Sequence, residues 1–180
     1  NTIESLVQAQ SFSGKFGETT SLVYLEEGQE KPRKVVVAGL GKDSELTLEK
    51  VRKALGKALK EAEKLKIETL TVIPWTLDVL SVADVARAVT ETSIMASYRF
   101  DHYLQEKKEK NLKSLQVGYE PEMEVEVIQA IKVGQTLGQT TNLARNLVNE
   151  PANVMTPQRL AEEAVEAGEE YGFEVEVLEE

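Results

Sequence analysis

Short apolar runs rich in β-branched residues predict strands at four points along the chain. Residues 21–25, 34–38, 69–73 and 112–117 each carry such a run, and Pro74 ends the third. The run at 34–38 lacks polar alternation, which is typical of a strand buried on both faces of a sheet, and the run at 69–73 is interpreted as a second buried strand. We therefore expect these two runs to be neighbouring central strands of one sheet, joined by a helix in a right-handed crossover.

Longer segments with apolar residues at three- and four-residue spacing predict helices between the strands. Residues 48–65 give the clearest apolar stripe, and a second stripe follows Ser81, which forms a capping-box pattern with Asp84. A long helix is predicted over residues 121–148. Its Gly134 and Gly138 share one face, so a neighbouring element can approach the backbone closely there, and the two glycines indicate tight packing or a bend.

The last thirty residues carry the pattern of a helix and a strand after Pro151. Thr156 and Pro157 are suited to the N-cap and first position of a helix that Gly172 ends. Residues 173–177 alternate apolar side chains with glutamate, which predicts a strand with one solvated face. The alternation of strands and helices predicts an α/β fold with a mostly parallel or mixed sheet. Because the last strand has no following crossover, we expect the chain to be cut.

Composition narrows the class of protein. The chain of 180 residues is 41% hydrophobic and 29% charged, as in ordinary globular proteins, and it has no cysteine, which excludes disulfides and thiolate metal sites and favours a cytoplasmic protein. No apolar run reaches membrane-spanning length, and no signal-peptide pattern opens the chain. A net charge of −10 repels nucleic acid and anionic lipid, so neither is expected as a partner.

A glycine-rich turn follows the second predicted strand and has two readings. In Gly39-Leu40-Gly41-Lys42, backbone N–H groups could approach an anion such as a nucleotide phosphate. The third glycine or GK[ST] ending of the fuller phosphate-binding motifs is missing, however, and the next helix begins several residues later. A plain strand-exit turn is therefore favoured, with nucleotide binding as the alternative.

Three further groups of polar residues are candidate sites. A basic stripe lies along the first strong helix, opposite its apolar face. It is interpreted as a solvated face, because glutamates lie beside it and no aromatic residue is interleaved. The stripe consists of Lys50, Lys53, Lys57, Lys60 and Lys64. The single histidine, His102, cannot supply a zinc site by itself. Asn149, Glu150 and Asn153 flank Pro151, where fixing the loop is the default role and supporting a metal site in a missing domain is the sharper alternative.

Six phrases occur in this order along the chain: FSGK at 12–15, GET at 17–19, VVVAGLGK at 35–42, YRFD at 98–101, LARNLVNEPANVMTP at 143–157 and GFEVEVL at 172–178. Together they resemble the cytosolic leucine aminopeptidase family. In that family, the segment similar to the longest phrase leads from an N-terminal domain into the catalytic domain.

The resemblance implies two domains. Residues 1–148 would form a three-layer α/β/α, macro-like N-terminal domain whose leading strand-and-helix segment is missing. Residues 149–180 would form the linker and the first helix and strand of a truncated peptidase domain. The family also implies release of N-terminal residues from peptides, two divalent metals (zinc or manganese) in the catalytic domain, and a homohexamer.

The family's metal-binding lysine, aspartates and glutamate would fall after Glu180. We therefore assign no catalytic, metal or substrate-binding residue and no cofactor within residues 1–180, and we expect this part to be inactive and to support oligomer assembly. A free-standing macro-like nucleotide-binding module is the alternative.

Overall fold

The computed structural model describes residues 2–25, 28–74, 79–107 and 109–178. Helices and strands alternate along them, so the predicted α/β fold class is confirmed. The elements are α1 (Thr2–Ala9), β1 (Thr19–Tyr24), β2 (Arg33–Ala38), α2 (Leu48–Lys64), β3 (Thr69–Val72), α3 (Val82–Ala96), β4 (Ser114–Val117), α4 (Glu124–Asn149) and α5 (Pro157–Tyr171), with short 3-10 turns at Asp43–Glu45 and Pro121–Met123. The chain divides into two compact units, residues 1–139 and 140–180.

Polar side chains cap the N-termini of α2 and α3. The Thr47 hydroxyl accepts the N–H of Lys50 at 3.3 Å at the start of α2. At the start of α3, the Ser81 hydroxyl accepts the N–H of Asp84 at 3.0 Å and donates to its carboxylate at 2.9 Å. These side chains satisfy backbone donors that a helix N-terminus leaves unpaired, and they fix the two helix starts.

The core of the first unit lies between α2 and α3 and between α3 and α4. The apolar stripe of α2 packs against α3, and Val82 and Ala86 of α3 form a buried cluster with Val127 and Ala130 of α4. Buried apolar side chains of α2 and α3 are Val51, Ala54, Leu59, Ala62, Val85, Ala88 and Val89. Burial of this apolar area stabilises the unit by roughly 25 cal/mol per Å².

The predicted close approach at the glycines of α4 is confirmed. A Cβ added to Gly134 would lie 2.7 Å from the carbonyl oxygen of Arg87, and one added to Gly138 would lie 2.8 Å from the Cβ of Ile94. Both neighbours belong to α3. The two glycines therefore allow α4 to pack directly on the backbone of α3.

The prediction of one sheet with β2 beside β3 is wrong. β1 and β2 form an antiparallel pair, and β3 and β4 form a separate parallel pair. In the described residues, no backbone hydrogen bond joins β2 to β3. The predicted burial on both faces also fails, since residues 35–38 are only half-buried and the β3 run has exposed residues, Ile73 among them. The physical reason is spatial: an apolar cleft lined by residues of both strands lies between β2 and β3, and the two strands do not pair in the part of the chain that the structure describes.

The second unit confirms the predicted helix but not the predicted strand. The Thr156 hydroxyl accepts the N–H of Arg159 at 3.2 Å, Pro157 opens α5, and Gly172 ends it in the left-handed conformation at φ 76°. Residues 173–178 form no strand. A strand needs a neighbour for its backbone, and the described part of residues 140–180 contains no other strand.

One helix was not predicted. α1 precedes the FSGK phrase and contacts β1. The expectation that the family's leading strand-and-helix segment is missing stays a prediction. The eight residues of α1 are too few for a periodic pattern to identify it from sequence.

Candidate functional site

The GLGK turn packs against the FSGK and GET phrases. The N–H of Gly39 donates to the carbonyl of Glu18 at 2.8 Å, and the N–H of Gly41 donates to the carbonyl of Gly14 at 3.0 Å. A Cβ on Gly39 would lie 2.1 Å from the carbonyl oxygen of Lys15, so only glycine fits there. The glycines of this turn serve a close contact between two loops of the chain.

The partner loop is itself fixed by Glu18. Its carboxylate accepts the Ser13 hydroxyl at 2.8 Å and the N–H of Lys15 at 3.1 Å. The hydrogen bond from the Ser13 hydroxyl is the largest effect that lowers the pKa of Glu18. The Glu18 carboxylate therefore holds this loop in the conformation that contacts the GLGK turn.

This geometry does not favour a phosphate site at the turn. The N–H groups of Gly39 and Gly41 already donate to carbonyl groups of the chain. The residues that follow include Asp43, Glu45 and Glu49, whose charges repel an anion near the start of α2. The strand-exit reading of the turn is the one that the contacts support.

The basic stripe on α2 is engaged in local contacts. Lys50, Lys53 and Lys64 pair with Glu45, Glu49 and Glu61 at 3.2, 3.4 and 3.0 Å. The ammonium of Lys57 donates to the carbonyl of Gly17 at 2.9 Å and so ties α2 to the preceding loop. The stripe is a solvated and structural face.

No cluster of potential metal ligands is found among the residues that the structure describes. His102 stacks near Phe100, with ring centroids 5.0 Å apart. Nowhere in the described ranges do three His, Asp or Glu side chains converge as metal ligands would. No helix in the same ranges is long and apolar enough to cross a membrane.

Two polar contacts of the fold could not be predicted from any sequence pattern. Arg52 of α2 forms an ion pair with Glu91 of α3, whose side chain is only 7% exposed. The carboxylate of Glu63 accepts the N–H groups of Asn111 and Leu112, both at 3.0 Å. Hydrogen bonding from Asn111, then from Leu112, lowers the pKa of Glu63. Both contacts join residues about 40 to 50 positions apart, so no local motif could reveal them.

The segment at 149–157 forms a compact turn between α4 and α5. The N–H of Glu150 donates to the carbonyl of Asn146 at 3.0 Å, and the carbonyl of Pro151 accepts the N–H groups of Val154 and Met155 at 2.8 and 2.9 Å. This local bonding gives the LARNLVNEPANVMTP phrase a structural role. A role of Asn149, Glu150 and Asn153 toward a metal site elsewhere stays a prediction.

Comparison with protein families identifies the family of this chain. Residues 1–107 match the profile of the cytosol aminopeptidase family, N-terminal domain. The chain belongs to this family. Residues 142–180 match the catalytic domain of the same family.

Relatives of the cytosol aminopeptidase family align over the whole chain. A probable cytosol aminopeptidase of Clostridium perfringens is 36% identical over 183 residues, which cover 100% of this chain and 37% of the relative. One of Persephonella marina is also 36% identical and covers 99% of this chain and 36% of the relative. The chain therefore spans little more than a third of these aminopeptidases.

Solved structures of similar proteins have the same fold. The bottromycin maturation enzyme BotP, in complex with Mn, superposes with a TM-score of 0.75 at 25% identity, over 93% of this chain and 34% of BotP. A tomato leucine aminopeptidase mutant gives a TM-score of 0.71 at 26% identity, over 94% of this chain and 33% of that protein.

Proposed function

We propose that the whole protein is a cytosolic leucyl aminopeptidase that releases N-terminal amino acids from peptides, and that residues 1–180 are its N-terminal, non-catalytic part. The observation that carries the proposal is the order of the two family matches, the N-terminal domain at 1–107 and the opening of the catalytic domain at 142–180. Two relatives that are each 36% identical and align over 99–100% of this chain bear the name probable cytosol aminopeptidase.

The catalytic residues of this enzyme lie outside residues 1–180. BotP was solved with Mn, and a pair of divalent metals, zinc or manganese, is proposed for the whole protein. The described residues do not fit such a group, because no three potential ligands converge among them. No catalytic step is therefore assigned to a residue of this part.

The role of residues 1–180 is structural. Residues 1–148 form a macro-like domain that supports assembly of a homo-oligomer, a hexamer in the full-length enzyme, and residues 149–180 open the catalytic domain. Support for this division comes from the compact bonding around Pro151 and from the N-cap of α5 at Thr156. Size-exclusion chromatography with light scattering tests the assembly: a monomeric full-length protein contradicts it.

Hydrolysis of leucine p-nitroanilide by the full-length protein tests the proposed activity. We expect turnover that a chelator abolishes and that added manganese or zinc restores. Full-length protein that is folded by circular dichroism, loaded with either metal and still inactive on this substrate and on leucyl peptides would overturn the proposal.

A further inference from the structure

A groove in the first unit has an apolar part lined by α3, β4 and α4. The volume of this part is about 350 Å³. An apolar cavity of about 150 Å³ already holds a benzene molecule, so the groove has room for a small organic molecule. Behind the lining, Val117 and Ile131 pack against the buried cluster of α3 and α4, which fixes the wall. The apolar side chains that line this part are Ile94, Leu112, Leu115, Val117 and Ile131.

The groove continues into a cationic part. Ser93, Ser97 and Leu112 line both parts, and the volume of the cationic part is about 200 Å³. It lies at the C-terminal ends of α2 and α3. An apolar chamber therefore opens onto a group of positive charges. The cationic side chains are Lys60, Arg99 and Lys110.

Glu63 also lines the cationic part, and both oxygens of its carboxylate already accept hydrogen bonds. One oxygen accepts the N–H of Asn111 and the other the N–H of Leu112, both at 3.0 Å. The guanidinium of Arg99 lies 3.5 Å from the same carboxylate. These bonds hold the loop that carries Lys110 against the end of α2. Glu63 therefore positions the cations and leaves little capacity to neutralise them all.

Two of the cations have no carboxylate of their own. Among the described residues, no carboxylate lies within ion-pair distance of Lys60 or Lys110. Other lysines of α2 differ, since Lys53 pairs with Glu49 at 3.4 Å. The whole chain carries a net charge of −10, so cations gathered without matching carboxylates are an exception in it. An anion placed among them would relieve their mutual repulsion.

The surroundings of the cations favour a ligand with a single negative charge. The hydroxyls of Ser93 and Ser97 donate to the carbonyls of Val89 and Ile94 at 2.6 and 2.9 Å, so their protons are not available to a ligand. The Glu63 carboxylate and the negative ends of two helix dipoles offset part of the positive charge. A carboxylate therefore matches this part of the groove better than a phosphate dianion.

We propose that this groove binds an aliphatic monocarboxylate. The carboxylate lies among Lys60, Arg99 and Lys110, and the aliphatic body fills the apolar part between β4 and α4. A free amino acid is a poorer ligand, because its α-ammonium group would lie close to the three cations.

This inference goes beyond the proposed function. The groove lies within residues 1–139, to which no catalytic step is assigned. An aminopeptidase whose groove binds no acid would still cleave peptides, and an inactive protein could still bind the acid. The two proposals therefore fail separately.

Calorimetric titration of the full-length protein with matched ligands tests the chemistry of the site. The probe is 4-methylpentanoate, which is leucine without its amino group. We expect it to bind about tenfold more tightly than 4-methylpentanamide, which lacks the charge, and more tightly than leucine or inorganic phosphate. In the series from propanoate to hexanoate, each added CH₂ should tighten binding about threefold. Equal affinity for acid and amide, tighter binding of leucine or phosphate, or no gain along the series would overturn the proposal.

Charge-removing variants place the bound acid in the groove. Lys60→Gln and Lys110→Gln should each weaken binding of 4-methylpentanoate by about tenfold. Both side chains belong to exposed residues, so the variants should keep the unfolding temperature of the parent. Lys53→Gln is the matched control, because Lys53 lies on the same helix outside the groove, and its affinity should equal that of the parent. Unchanged binding in both groove variants, or an equal loss in Lys53→Gln, would overturn the proposal.

Discussion

Replacement of Gly134 by alanine measures how closely α4 packs on α3. In a helix interior this change by itself stabilises by about 1 kcal/mol. The new Cβ, however, would lie 2.7 Å from the carbonyl oxygen of Arg87 and 2.9 Å from the Cβ of Thr90, well inside the ordinary contact distance of about 3.5–4.0 Å between carbons. The oxygen belongs to the backbone of α3 and cannot rotate away, so the helices must separate. Such overpacking costs about 1–3 kcal/mol, and we expect a net loss of about 1 kcal/mol.

Gly56 in α2 is the matched control. A Cβ at this position would meet only the Cγ2 of Thr92, at 4.0 Å, so alanine should stabilise by about 1 kcal/mol without a clash. Urea unfolding of residues 1–180 followed by circular dichroism gives the free energy of unfolding of both variants. Gly56→Ala should lie about 1 kcal/mol above the parent and Gly134→Ala about 1 kcal/mol below it, a difference of about 2 kcal/mol. If Gly134→Ala stabilises as much as Gly56→Ala, the close approach of α4 to α3 is refuted.

Other contacts of the chain can be tested in the same way. Because the pKa of Glu63 is lowered in the folded state, its contribution to stability is complete above the ordinary pKa of 4.5 and is lost as the pH falls through the lowered pKa. Urea titrations should therefore show that the difference in unfolding free energy between the parent and Glu63→Gln shrinks below pH 4.5. Gly39→Ala should destabilise by at least about 3 kcal/mol in urea, because its Cβ would overlap the carbonyl of Lys15; a change below about 1 kcal/mol contradicts the contact. Thr156→Ala should cost about 1 kcal/mol in the hydrogen-exchange stability of α5, and an unchanged value excludes the cap. Calorimetric titration with ADP-ribose should show no heat, because the N–H groups of Gly39 and Gly41 are bonded within the chain; measurable binding would restore the nucleotide alternative.

The helices could be predicted from the sequence because their signals are local. Ser81 and Thr156 each cap a helix at the predicted place, and Gly172 ends α5 as predicted, in the left-handed conformation at φ 76°. The glycines of α4 indicate a close helix contact from the sequence alone, since glycine in a helix interior is costly unless something packs against it.

The arrangement of the strands could not be predicted in the same way. The apolar run at 34–38 identifies a strand, but which strand lies beside it depends on long-range contacts that no local pattern encodes. The tail at 173–177 shows the same limit, because its alternation fits a strand that forms only when a partner edge is available. The contacts of Glu63 and Glu91 depend on the tertiary fold alone, and no spacing in the sequence marks them.

The most direct test of the active site's location compares hydrolysis of leucine p-nitroanilide by residues 1–180 and by the full-length protein, each with added manganese, zinc or cobalt. We predict turnover by the full-length protein and none by residues 1–180, whose described part holds no converging set of metal ligands. Turnover that survives purification and coelutes with residues 1–180 on a sizing column would contradict the placement of the active site outside this part of the chain.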